Sequence, residues 1–560
     1  MATPLSAVRR FFGGGGVVGD APTAGRSRDT QHLGASRTAR EVSDWEPRTG
    51  SADSDSADEI ETITARARDL DRNSGLAQNM RVTTTDNVIG TGLRLMPAPN
   101  YRVLGRDADW MAAWSKGTRA HWENFADSRF VDADGEDNFD GLTRLIGNGE
   151  FLSGGGCAVP MWKSRAGTPF RTCVKVIEAD RLSNPNGAPE SERLSGGVER
   201  RTDGEISAYH VRRGHPGDIG SRRPINADDW ERIPIRFPWG RRRFLHVYDK
   251  SRPGQSRGIP ALSSVLAAFG LHSKYQLTEL QSAAVLAKIV QVLETPLTDE
   301  QAAALYGGTS EQYGTHRENW KVPMNAGSVV KTPVGTVLKN LDPKRPAPAF
   351  VAFMEHIVRE IGVGAGLPFE LATRNFSKTN YSSARAALLE AWRHFHVERK
   401  RIAYQWAAPV YELWLEEAID LGIVEGEGFN ENRAAWCRSQ WIAPSQYPID
   451  RLKHESANKK AFANGTTTRA KIAAEVGDDW EELAEQRLKE EIKDAEIAMR
   501  KKRALERLSA ELGVEVPADA PPTPDDDMQS DEDIDRALPD EDMKNEDEPA
   551  PTENEDTSDE

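Results

Sequence analysis

Cysteine is scarce. The 560-residue chain holds three, Cys157, Cys173 and Cys437, too few and too scattered for a disulfide framework or a paired-cysteine metal knuckle. Buried free thiols are expected instead. Long apolar runs are also missing: no stretch approaches the ~18 residues of a spanning helix, and Arg9-Arg10-Phe11-Phe12 leads into glycines rather than the apolar core of a secretory signal. With 38% hydrophobic and 29% charged residues and a mean hydropathy of −0.61, the composition excludes a membrane protein and predicts one that stays in the cytosol where it is made. No Gly-x-x-x-x-Gly-Lys-Ser/Thr run occurs, so a P-loop ATP motor has no support, and His-Glu-x-x-His is absent too. No internal repeat is visible, and no cofactor is expected.

What is present is charge, unevenly placed. The net charge is −16, yet residues 519–560 alone carry nineteen Asp/Glu against Arg536 and Lys544. The first 518 residues are therefore nearly neutral, at about +1. Acidic, proline-rich and almost without large apolar residues, the segment 516–560 cannot repay its ordering entropy and is expected to be disordered. Residues 1–58, with Gly13 to Gly16 and a Ser/Asp/Ala run at 51–58, read as a mobile arm.

Between these ends the pattern changes along the chain. Apolar positions from Ile60 to Val88, broken at Asn73-Ser74-Gly75, predict two short helices, and the alternation over 88–95 predicts a strand. Trp110, Trp114 and Trp122 fall on a further helix as a core stripe. From Cys157 to Tyr248, short β-prone runs alternate with turns, giving a β-rich module. The three glycines Gly154-Gly155-Gly156 suit a bulge. Pro260 as a first helical residue and no further proline until Pro296 predict one helix over 261–293. A small unit follows, with a helix at Asp299–Tyr306 and strands at 328–331 and 336–341, and then a helix over 347–361. The run 362–380, glycine-rich and then polar, predicts an ordered loop. Residues 381–421 read as a helix kinked at Pro409, which lacks an N–H and crowds the carbonyl of Gln405. A last helix is expected over 478–512, between Asp478 or Asp479 and Gly513.

Two matches to catalytic or metal patterns are weak. Asp132-Ala-Asp134-Gly135-Glu-Asp137-Asn138 alternates carboxylates but misplaces the glycine and lacks the late glutamate of a calcium loop, so an acidic start to the helix at 139–146 is the better reading. Gly254-Gln255-Ser256-Arg257-Gly258 fits the Gly-x-Ser-x-Gly elbow of serine hydrolases, which needs its serine at the end of a buried strand. Here five residues intervene after 244–248. A hydrolase using Ser256 would be labelled by an acyl-directed probe; a glycine-permitted turn would stay inert.

Taken in order, several strings resemble the portal proteins of tailed bacteriophages, in particular the phage lambda portal family. They are Arg72-Asn73-Ser74-Gly75, Asp86-Asn87-Val88-Ile89-Gly90-Thr91-Gly92, 176–182 (VIEADRL), Ala208-Tyr209-His210-Val211, 252–260 (RPGQSRGIP) and Asn380-Tyr381-Ser382-Ser383-Ala384-Arg385. The resemblance covers about 60–450 and implies an α+β portal-type fold without enzymatic activity. Its parts would be a wing (59–257), a first stem helix (258–293), a small α/β clip (294–345), a second stem helix (346–361), a channel loop (362–380), a long kinked helix (381–429) and a helical crown (430–515). It further implies a homo-oligomeric ring, usually a dodecamer, at one capsid vertex of a phage or prophage, assembled in the bacterial host cytoplasm. Double-stranded DNA would pass through it without sequence specificity, and a terminase packaging motor, the major capsid protein and a head-tail adaptor would be its partners. Arg374, Asn375, Lys378 and Asn380 are the candidate DNA-channel residues. The rival to this connector is a plain helical scaffold, which need not close into a ring.

Overall fold

A computed structural model describes residues 44–218, 229–286, 291–294, 298–312, 337–340, 350–443 and 451–512, with a few positions between 35 and 42. The chain divides into two compact units, 1–477 and 478–560. No helix among the described residues is long and apolar enough to cross a membrane.

The first unit opens with α1 (Ala52–Ser56), begun by Ser51, whose hydroxyl accepts from the Ser54 N–H. This corrects the reading of 1–58 as an arm throughout: its last residues are folded. Helices α2 (Ile60–Asn73) and α3 (Gly75–Val88) meet at Ser74, which caps α3, so the two-helix reading holds. The strand expected over 88–95 does not. Gly90 (φ 59°) and Gly92 (φ 135°) turn the chain, and β1 is Arg94–Pro97; the alternation came from glycines that the turn requires, since a Cβ on Gly92 would lie 2.2 Å from the Asp140 carboxyl. The tryptophan stripe sits on α4 (Ala108–Ala126), with Trp114 and Trp122 buried. α5 (Phe139–Ser153) follows, its N-cap Asn138.

The β-rich module contains β2 (Gly156–Trp162), β3 (Thr172–Ile177), β4 (Leu194–Ser195), β5 (Val198–Arg200), β6 (Ile206–Arg212), β7 (Trp230–Pro234) and β8 (Leu245–Val247). They form two antiparallel sheets, ordered β3-β2-β8 and β4-β5-β6-β7. Cys157, Ile177, Val198, Tyr209, Ile233 and Phe244 share one apolar cluster. Cys157 and Cys173 are buried free thiols, and burial pushes the Cys157 thiol up to about 12.

Gly154-Gly155-Gly156 is not a bulge. Gly154 (φ 74°) ends α5, and its carbonyl oxygen lies 1.8 Å from where a Cβ on Gly258 would stand; two main chains cross there with no room for a side chain. This crossing also delays the helix expected from 261. Ala261 N donates to Phe151 O, a 3₁₀ turn spans Ser263–Val265, and α6 is Leu266–Leu286. It stops short of 293 because Gln291–Glu294 is a strand, β9, in a β-branched stretch better suited to a sheet. α7 (Asp299–Tyr306) lies where expected, and β10 (Val337–Asn340) pairs antiparallel with β9; the expected strand at 328–331 lies outside the described residues. α8 is Phe350–Gly364.

After a short α9 (Phe369–Thr373), α10 (Tyr381–Ile402) runs into a π turn, Ala403–Ala407, and then α11 (Ala408–Asp420). The proline disruption is therefore absorbed one turn early: Ala408 N donates to Ala403 O five residues back, and Pro409 falls at the start of α11, where a missing N–H costs nothing. α12 (Arg433–Trp436) and β11 (Ser439–Ile442) correct the reading of 430–515 as one helical crown. β11 pairs with β1, and Trp436 is buried in the main core. α13 (Arg451–Ala463) and α14 (Arg469–Val476) complete the first unit. The second contains α15 (Trp480–Leu512), with Asp479 accepting from Glu481 N at its start; Gly513 and the acidic tail lie outside the described residues.

Gly258→Ala is expected to lower folding stability by about 2 kcal/mol or more, because neither backbone at the crossing can yield. Gly270→Ala, on α6 with open space around it, should be neutral or stabilising by up to ~1 kcal/mol. Thermal melts of both would check the pair; equal effects would sink the crossing argument.

Candidate DNA channel segment

The run 362–380 is more structured than a loop. Its first glycines belong to α8: Gly362 is buried, Leu367 N donates back to Gly362 O at 2.8 Å, and a Cβ on Gly362 would meet the Leu367 carbonyl at 2.7 Å. A Cβ on Gly364 would stand 2.3 Å from Val265. The glycines therefore serve helix packing and a tight reversal, not a projecting tip. α9 is then clamped from its end by Asn79 of α3, whose amide donates to Leu371 O and Ala372 O at 3.1 and 2.7 Å.

What remains as a loop is 374–380, and it holds all four candidates. Arg374 takes the left-handed conformation (φ 54°) that ends α9. The Asn375 side chain accepts from the Ser377 N–H and hydroxyl. Lys378 Nζ sits 2.6 Å from Glu355 of α8, and Asn380 caps α10 by accepting from Ser383 N. Three of the four are thus engaged in shaping the turn. Arg374 stays exposed, and no hydrogen bond or ion pair of its guanidinium is found among the described residues.

The glycine-rich start of the run 362–380 lines a cavity of about 340 Å³, Val363 to Gly366 facing Thr84, Glu150, His394, Glu398 and Arg401 among others. Arg401, at the end of α10, contacts Glu150 and Glu398 and lies 3.0 Å from Asp249. One guanidinium cannot neutralise three carboxylates. Burial, reinforced by the neighbouring Glu398 and Asp249 charges, pushes Glu150 up to about 7 despite the attraction of Arg401. Two residues earlier, Arg399 donates to Val88 O and Asn87 O at the end of α3. These long-range contacts were invisible in the sequence, because pairing across about 150 to 310 residues leaves no local spacing.

The side chains of the two catalytic and metal patterns are held in local contacts. Ser256 is buried; its hydroxyl donates to Asp53 at 2.6 Å while its N–H donates to the other oxygen of the same carboxylate at 2.7 Å. Arg252 binds Asp55 and Gly50 O beside it. No strand immediately precedes Ser256 and no histidine is among its hydrogen-bond partners, so the motif is a turn held by α1. Asp132 accepts from the N–H groups of Asp134, Glu136 and Asp137, closing its own loop. Glu178, Asp180 and His215 could offer three metal ligands, but Arg68 already reaches both carboxylates, at 3.5 and 2.5 Å.

The family decides between the readings of this architecture. The model for "Phage portal protein, lambda family" matches residues 38–399. The chain belongs to the lambda family of phage portal proteins. It is 29% identical over 496 residues to the portal protein of Escherichia phage N15 and, equally, to portal protein B of Escherichia phage lambda, covering 84% of this chain and 91% of each relative. It is 24% identical to a probable portal protein of Halomonas phage phiHAP-1, over 83% of this chain and 88% of that one. Among solved structures it resembles a chain in the neck of the empty gene transfer agent particle, at 14% identity and a TM-score of 0.42, covering 78% of this chain and 94% of that one. A chain in the native particle's virion is similar at a TM-score of 0.38, with the same identity and coverage. Portal proteins are structural components of the particle, and this one is a mixed helix-and-strand member.

Glu150 yields a pH prediction. A carboxyl whose folded value lies near 7 holds a proton that the unfolded chain releases near 4.5, so stability falls as pH rises from about 4.5 to about 7. Glu150→Gln cannot titrate and should flatten that slope in melts between pH 5 and 8, leaving the smaller contribution of Asp140, raised by burial to about 6. An unchanged slope would assign the effect to another group. Ser256→Ala should cost about 1–2 kcal/mol through Asp53, and an acyl-directed probe should label neither form.

Proposed function

We propose that this portal protein closes into a ring, most simply of twelve copies, at one capsid vertex, where it is the conduit for duplex DNA and the head-tail connection point. The observation that carries the ring is an apolar surface a single copy leaves bare. α6 and α8 pack on each other through Tyr275, which stacks on Phe350 at 5.7 Å and meets Phe353 edge-on at 5.3 Å. The two helices also expose Leu271, Leu277, Leu280, Val351 and Val363, three of them more than 60% accessible. α10 adds Leu389 and Val397. Patches of this kind mark interaction surfaces, and different faces on one subunit meet head to tail in a ring rather than in a two-fold dimer.

In this reading α6 and α8 are the stem pair, β9, α7 and β10 belong to the clip between them, the β-rich module is the wing, and 374–380 faces the passage. A duplex bears one charge per ~1.7 Å, so dense cationic collars would hold it too tightly for transport. Near neutrality of residues 1–518 suits a conduit, with one exposed Arg374 per subunit giving weak, sequence-independent phosphate contacts. The packaging motor, the capsid protein and a head-tail adaptor are the partners this role requires, with assembly in the host cytoplasm.

Two variants separate ring from passage. Leu271→Glu with Leu280→Glu should leave helicity intact and shift the sedimenting species from ring to monomer; persistence of the ring would refute the stem interface. Arg374→Ser should leave rings and empty capsids unchanged and lower the DNA packaged or retained, whereas normal packaging would remove 374–380 from the passage. Lys378→Ser, which leaves Glu355 only its longer ion pair with Arg359, should act mainly on stability.

A further inference from the structure

The sheet β4-β5-β6-β7 and the hairpin that follows it, 235–243, enclose a groove of about 1060 Å³. Six arginines line it: Arg193, Arg200, Arg201, Arg232, Arg236 and Arg243. Two carboxylates line it with them, and both are already engaged. Glu199 receives Arg232 through two bonds of 2.7 Å, and Glu205 receives Arg201 at 2.9 Å. Arg193, Arg200, Arg236 and Arg243 have no carboxylate within ion-pair distance among the described residues. The groove therefore holds four cations without a counter-charge.

Three of the four are fixed by neutral groups, which orient a guanidinium without cancelling its charge. Arg200 donates to Ser256 Oγ, Gly204 O and Gln255 O, and Arg236 donates to Gly240 O at 2.7 Å. Arg243 lies 4.6 Å over the ring of Phe237, which stacks on Trp239 at 4.4 Å. A guanidinium held over a ring keeps its in-plane N–H groups free for an oxyanion. A second observation is independent of the groove's lining. Arg236 stands directly across the hairpin from Arg242, and like charges facing each other across two strands destabilise them. Arg242 has no hydrogen bond or ion pair among the described residues, and its Nε is buried. Partial burial and then the Arg242 charge hold the Arg236 guanidinium below its ordinary value. Stability alone would not place two arginines so; local rules are broken where a site needs them broken, and an anion beside the hairpin would relieve the repulsion.

Charge spacing selects the anion. Side chains on one face of an extended peptide recur every ~6.8 Å, so an acidic strand crossing the groove would offer about two carboxylates to four cations. Phosphates are more crowded: a polyphosphate is charged at every phosphorus, and a duplex carries one charge per ~1.7 Å. The planar fork of arginine also takes phosphate oxygens two at a time. We propose that this groove is a binding site for closely spaced phosphate oxyanions, received by Arg200, Arg236 and Arg243 with the exposed Arg193 beside them. Free polyphosphate and a nucleic-acid backbone present the same chemistry to it. The site requires neither the ring nor the passage.

Titration calorimetry of the full-length protein with sodium tripolyphosphate at low salt should show saturable binding. Arg236→Ser with Arg243→Ser should weaken it at least tenfold. Arg72→Ser with Arg393→Ser, which removes equal charge from exposed positions outside the groove, should change it less than twofold. Arg236→Lys with Arg243→Lys keeps the charge but loses the fork; it should weaken binding at least threefold, and it keeps the test open if the serine pair fails to fold. A duplex of about 30 base pairs separates the two sources. If it displaces tripolyphosphate and loses its own binding in the serine pair, the groove takes a nucleic-acid backbone; if it does neither, the groove takes free polyphosphate. The proposal falls if tripolyphosphate does not bind at millimolar concentration, or if substitutions inside and outside the groove weaken it equally. It falls too if citrate or polyglutamate binds as tightly, which would assign the groove to an acidic protein partner. Sedimentation of the same samples reports ring formation separately, so a missing ring would count against the conduit and not against this site.

Discussion

A helix buried on nearly every side cannot leave its own charges unpaired. α11 is such a helix: from Pro409 to Ala418 only Glu412 escapes full burial, and Glu416 and Glu417 lie inside. Glu417 solves this by accepting from the N–H groups of Arg171 and Thr172 at 2.7 and 2.9 Å, closing the start of β3. Glu416 receives Arg241 at 3.0 Å, from the chain leading into β8, and Arg433 of α12 at 2.6 Å. Two carboxylates thus fasten the start of β3, the approach to β8 and the segment leading to β11 onto one helix. Around them Trp122, Phe139, Tyr411 and Trp414 pack edge to face at 5.2 to 5.7 Å, so residues three hundred apart share one core.

The π turn before α11 belongs to the same arrangement. The shift in hydrogen-bond spacing at Ala403–Ala407 accommodates Pro409, and within the turn Trp406 donates to Thr143 of α5 and Gln405 accepts from Tyr248 N. On its near side, Arg399 caps α3 and Arg401 gathers the carboxylates of Glu150, Asp249 and Glu398. A single long helical path therefore ties together α3, α5, β8 and the loop 374–380.

Much of this was legible in local pattern. The break at Ser74 has a cap signature, the tryptophans of α4 recur at helical spacing, and Asp299–Tyr306 begins with a Thr298/Gln301 capping box. The strings around Gly258 and Asn380 carried the family. What failed did so for physical reasons. Glycines at Gly90 and Gly92 imitated a strand's alternation while serving a turn. Gly362 and Gly364 read as loop residues although they are small because Leu367 and Val265 press on them. Lys378 and Asn380 looked available for a ligand because the sequence does not reveal Glu355 across the turn or the Ser383 N–H that needs a cap. The docking of α1 on Ser256 depends on an acid two hundred residues away, in a stretch whose composition alone suggested an arm.

The Gly154 and Gly258 crossing has a mechanical meaning. Where side chains separate two segments, rotamer changes and slippage absorb small displacements. Here main chain meets main chain and there is nothing to compress. A displacement of the chain around Gly258, which leads into α6, meets the end of α5 directly, backbone against backbone. The joint is a stiff coupling between the approach to α6 and the end of α5, with the compliance of a bearing run without clearance.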